Sequence, residues 1–84
     1  LVMDVCLVKD GQFTATYLSE GANGEITEYT YVVPLLGGDL WHNLKIELNR
    51  FKSIEGRLLK SYDTVVAVKF NADQKFLINN VLFL

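Results

Sequence analysis

The chain has 84 residues, of which 50% are apolar and 21% charged, with a formal net charge of −2 at neutral pH. That length allows one domain, residues 1–84, and a domain this small hides only about 60% of its unfolded surface from water. The apolar share separates it from disordered segments, and the slight acidity argues against a nucleic-acid partner, which requires a clustered basic face.

Lys45, Arg50, Lys52, Arg57 and Lys60 lie close in sequence, but Glu47 and Glu55 interleave with them, the pattern of a solvated surface. No apolar run reaches the roughly 20 residues of a membrane span, so no membrane-spanning role is expected. The chain opens on Leu1 instead of Met, which reads as part of a longer protein whose targeting signal lies upstream. One cysteine, Cys6, and one histidine, His42, exclude an internal disulfide and a Cys-based zinc site. Cys6 is expected to be a small buried hydrophobe.

In chain order, LVMDVCLV is a continuous apolar run closed by Lys9-Asp10-Gly11, the pattern of a strand buried on both faces. Phe13 to Ser19 alternates, Gly21-Ala22-Asn23-Gly24 supplies a turn, and Ile26 to Val33 returns, rich in Thr, Tyr and Val. With a four-residue loop, Glu20 pairs with Glu25. Thr14, Thr16, Tyr29, Tyr31 and Val33 then share one face, and a slip of one residue exchanges the sets. Pro34 and Gly37-Gly38-Asp39 end this hairpin.

The segment from Trp41 to Leu58 carries two patterns. Trp41, Leu44, Leu48, Phe51, Ile54 and Leu58 recur at helical spacing with Asp39 available as a cap, giving an α+β alternative with one helix at about 41–58. Leu44, Ile46 and Leu48 also alternate with Lys45, Glu47 and Asn49, and a helix would take Ile46 off the Leu44/Leu48 stripe. In the strand reading, Arg50 to Ser61 is a long crossing with room for one helical turn. Asp63 to Asn71 and Lys75 to Leu84, joined by a polar turn, form a second hairpin with Asn79-Asn80 at the centre of its last strand. Buried, those amides would need partners; the simple expectation is one facing water and one bonding a neighbouring loop.

The order of WHNLKIELNRF, VVAVKF and INNVLF resembles the last strands of the β-jelly-roll carbohydrate-binding modules attached to secreted polysaccharide-degrading enzymes. The residues in register are Trp41, Leu44, Ile46, Leu48, Phe51, Val66, Val68, Phe70, Ile78, Asn79, Asn80, Val81 and Phe83. Such modules usually carry Asp where Asn79 stands here, so a charge is missing at that point. The resemblance implies an all-β, antiparallel, jelly-roll-like sandwich, and it tips segment 41–58 toward strand and crossing. Six strands fall short of the eight of a full jelly roll. Either the opening strands lie upstream of Leu1, or another chain covers the edge, or the small α+β alternative holds.

Catalysis finds little footing. His42 is the only histidine for a triad and is expected to be outward and solvated, and Asp4, Glu20, Glu25, Glu28, Glu47 and Glu55 are too scattered to flank a glycosidic bond at about 5–9.5 Å. Gly37-Gly38-Asp39 lacks the Lys-Ser/Thr of a phosphate loop. Sugar rings, by contrast, lay their C–H faces on aromatic side chains while Thr and Asn complete the hydroxyl hydrogen bonds. Thr14, Thr16, Tyr29 and Tyr31 are therefore the candidate glycan platform, with Trp41 a second contact. The same residues also suit ordinary strand packing.

The expected function is a non-catalytic accessory domain, extracellular or at the cell surface, holding polysaccharide or oligosaccharide. The alternative is a structural sandwich that packs on a neighbouring domain or a second chain. A calcium ion commonly stabilises such modules, but the acidic residues lack EF-type spacing. No cofactor is predicted.

Overall fold

The computed structural model describes residues 1–83. Six strands follow one another: β1 (Val2–Leu7), β2 (Gly11–Glu20), β3 (Ile26–Leu35), β4 (Leu40–Lys45), β5 (Val65–Ala72) and β6 (Phe76–Leu82). They form two three-stranded antiparallel sheets in contact, ordered β4-β1-β6 and β3-β2-β5. The domain is all-β, packed in the manner of a sandwich.

The apolar alternation of each central strand makes the core. Met3, Val5 and Leu7 point inward from β1, and Phe13, Ala15 and Tyr17 from β2. Phe13 joins the layers, stacking on Phe70 of β5 at 6.0 Å and meeting Phe76 of β6 edge-on at 5.5 Å. Such geometries suit the quadrupoles of aromatic rings.

Segment 41–58 is not a helix. β4 runs to Lys45, Ile46 is buried beyond it, and the only helical turn is a 3-10 turn at Leu48–Arg50. The strand wins because Met3↔Leu44 pairing sends Leu44 and Ile46 to the core together, which a helix would prevent. The crossing then drops Phe51, Ser53 and Leu59 into the interior and bridges the β3 edge, where Thr30 and Lys52 exchange both main-chain hydrogen bonds.

Three further expectations are corrected. The first hairpin slips by one residue, to Glu20↔Ile26. Gly24 adopts a positive φ of 81°, its N–H donates to the Gly21 carbonyl, and the Gly21 N–H donates to the Glu25 carbonyl, closing the loop over Ala22–Gly24. This is a three-residue turn whose left-handed residue forms a bulge. Gly24→Ala should therefore destabilise by about 1 kcal/mol, read as a lower urea midpoint, whereas Ala22→Gly should have a smaller effect.

The second hairpin does not exist as a pairing. β5 bonds β2 and β6 bonds β1, so residues 73–75 arch from one sheet to the other. Phe70 and Phe76 can both reach Phe13 only across the core, which a flat hairpin would not allow. Gln74 ties the arch down, its Oε1 accepting from the Lys9 N–H at 3.0 Å and its Nε2 donating to the Lys9 carbonyl at 2.7 Å.

Finally, β1 is not buried on both sides. Its inward residues are fully buried and Cys6 on the opposite face is 5% exposed, but Val2 and Asp4 on that face are only half-buried.

Candidate functional site

The register slip separates the candidate platform. Thr14 and Thr16 face outward from β2, whereas Tyr29 and Tyr31 face inward from β3, opposite Tyr17 and Ala15. Tyr29 is only 1% exposed, with the Arg57 guanidinium 6.0 Å from its ring centre, and Tyr31 packs 6.1 Å from Phe51. Thr16 is itself buried, its hydroxyl 3.2 Å from that of Thr30 beneath an exposed Lys69–Glu28 ion pair. No single face carries the four residues. The mixture of Tyr with Thr depended on a loop one residue too long.

Trp41 is placed differently. It lies on the outer face of the β4-β1-β6 sheet, 53% exposed, in a row across the strands with Cys6 and Leu77. Two residues along each strand, about 7 Å away, the next row is Asn43, Asp4 and Asn79. Asp4 sits at its centre. The carboxylate accepts from Asn43 Nδ2 at 2.9 Å through Oδ1 and from Asn80 Nδ2 at 2.8 Å through Oδ2.

A bulge makes this possible. β6 carries one extra residue between its pairings with Asp4 and Val2, and Asn80 takes a left-handed φ of 52° there. Its N–H donates to Asn79 Oδ1 at 2.9 Å, a local bond that helps asparagine occupy such a conformation. The extra residue turns Asn80 to the same face as Asp4 and restores Val81 to the core side, where it packs against the buried cluster. Asn80 thus bonds a neighbouring strand, not the loop expected from sequence.

The amide of Asn43, and then that of Asn80, holds the Asp4 carboxyl below its ordinary value of 3.8 against a small opposing effect of burial. A depressed folded pKa contributes stability that is present above the ordinary value and lost as pH falls through the lower folded one. The site is therefore charged throughout the mildly acidic and neutral range. On the core side, burial pushes the Tyr17 phenol upward, as expected for a group whose charged form is desolvated.

His42 is neither outward nor free. It is half-buried, and its Nε2–H donates to the Leu36 carbonyl at 2.7 Å, closing the connection between β3 and β4. The free Cys6 is buried as expected. Among the described residues no three His, Cys, Asp or Glu side chains converge on a point that could hold a metal ion, and no helix is long and apolar enough to cross a membrane.

Sequence reasoning missed the polar half of this face. Asp4 interrupts an otherwise apolar strand two residues before Cys6, which was the available signal, but its partners Asn43 and Asn80 come from 39 and 76 residues away. An open groove of about 760 Å³ lies elsewhere, between Ile26, Thr30 and Val32 of β3 and Lys52, Ile54 and Glu55 of the crossing.

No protein-family model, curated protein or solved structure matches this chain.

Proposed function

We propose that the domain is a non-catalytic carbohydrate-binding module, jelly-roll-like in kind and extracellular or at the cell surface, that holds polysaccharide on the outer face of the β4-β1-β6 sheet. The observation that carries this reading is Trp41, half exposed one row from the Asn43–Asp4–Asn80 hydrogen-bonded group. An indole face offers a surface for the C–H side of one sugar ring, and the adjacent row offers hydrogen-bonding groups to hydroxyls of that ring or the next. The sequence resemblance to polysaccharide-binding modules supports the same reading. Attachment to a catalytic domain would raise the local concentration of its substrate without any chemistry in this domain.

The test is affinity electrophoresis through gels containing soluble β-glucan, xyloglucan, mannan or starch. Retardation by at least one polymer is expected. Trp41→Ala should weaken it by about 2 kcal/mol, roughly 30-fold, with an unchanged circular dichroism spectrum. Unretarded migration of folded protein in every gel sinks the proposal.

A second reading, a structural domain that packs on another surface, draws on a different observation. Ile54 is 98% exposed at the tip of the crossing, with half-exposed Ile26 and Val32 near it. Exposed apolar clusters of this sort mark interaction surfaces. Sedimentation equilibrium distinguishes the self-association form of this reading: a concentration-dependent mass that Ile54→Asp abolishes favours it, and a monomer at all concentrations excludes it.

A further inference from the structure

Resting on the carbohydrate-binding reading, we infer that the Trp41 face selects neutral polysaccharides and discriminates against polyuronates, with Asp4 as the residue that sets this selectivity. Both carboxylate oxygens of Asp4 are held by amide donors from the two flanking strands, so the charge is fixed in the middle of the sheet face. Those two bonds also settle what is left to offer a ligand. Asn43 and Asn80 each spend one amide N–H on Asp4 and keep a second N–H and a carbonyl oxygen, and the carboxylate keeps unused lone pairs. Asn79 Oδ1 is already engaged by the Asn80 N–H.

The polar row therefore offers both donors and acceptors, and the charge fixed at its centre is the Asp4 carboxylate. It suits sugar hydroxyls, which both donate and accept, and opposes a uronate carboxylate, which carries the same charge as Asp4. Other charged groups in register on this face stand farther off. Lys45 is opposite Val2, one row beyond Asp4. Asp39 and Lys75 lie past the Trp41 row, near Val8. Lys45 thus stands about 7 Å along the strands from that row, whereas the Asp4 carboxylate is held within it and is the charge nearest a ligand seated there.

The experiment uses affinity gels of soluble β-glucan, xyloglucan, mannan and starch, each beside its own C6-carboxylated derivative, so backbone and linkage are held constant and charge alone varies. The parent domain should bind the retained neutral polymer about tenfold more tightly than its carboxylated form, with the ratio shrinking in about 0.5 M salt. Asp4→Asn should bring the two affinities within about twofold by strengthening binding of the carboxylated polymer. Asn43→Asp, which places a second carboxylate on the exposed row, should widen the ratio and provides a check should Asp4→Asn fail to fold.

Equal binding of neutral and carboxylated polymers by the parent, or a ratio unmoved by both substitutions, overturns the inference while leaving the carbohydrate-binding reading intact. Failure of every neutral polymer to retard the folded parent overturns both.

Discussion

Phe51→Ala should lower the stability of the domain by about 3–5 kcal/mol, the range for deleting a fully buried aromatic side chain. Phe51 is completely buried, 4.6 Å from the Tyr17 ring and 6.1 Å from that of Tyr31. It is also the point at which the crossing is fastened, since its carbonyl accepts from the Leu59 N–H and the next residue, Lys52, exchanges two hydrogen bonds with Thr30. The loss would be felt twice, as a cavity beside Tyr17 and as a crossing freed from the β3 edge.

A domain of this length is stable by roughly 4–13 kcal/mol, so the substitution removes a large part of the margin. Thermal melts should show a midpoint lower by on the order of 15–30 °C, and urea unfolding a lower midpoint. Ile54→Ala, three residues on but 98% exposed, should move stability by less than about 0.5 kcal/mol. A Phe51 variant as stable as the parent would show that the crossing is not part of the core.

Gly37→Ala comes next, at about 3 kcal/mol. Gly37 is buried against the main chain of Lys9 and Asp10, and a Cβ there would overlap the Lys9 Cα and carbonyl carbon. Backbone cannot swing aside as a side-chain tip can. The Gly37 N–H also donates to Asp10 Oδ1 at 2.8 Å, while the Gly38 and Asp39 N–H groups donate to the Val8 and Leu7 carbonyls.

Displacing this loop would therefore loosen the entry to β4 and, with it, the position of Trp41. Hydrogen exchange should register this as faster exchange at Leu40–Lys45 with smaller changes at Phe13–Tyr17. Uniform acceleration across both strands would instead mean that the two sheets open as one unit.

These residues show where local information ends. Strand positions were legible because alternation at Phe13–Tyr17, the return at Ile26–Val33 and the Val-rich stretch before Asn71 each satisfy a period of two, and the burial of Cys6 follows from its apolar strand. The hairpin register was not legible, since it turned on whether Gly24 adopts a left-handed conformation, and that single choice moved Tyr29 and Tyr31 from a supposed platform into the core.

By itself, the sequence determined the β-rich character of the chain and the approximate extent of its strands, both of which depend on composition and on neighbours a few residues apart. Only the tertiary structure decided that β5 and β6 part into different sheets, and that Asp4, Asn43 and Asn80 meet beside Trp41. Those outcomes depend on contacts between distant segments: the need of Phe70 and Phe76 to share Phe13, and a bulge that turns one asparagine toward a carboxylate 76 residues earlier.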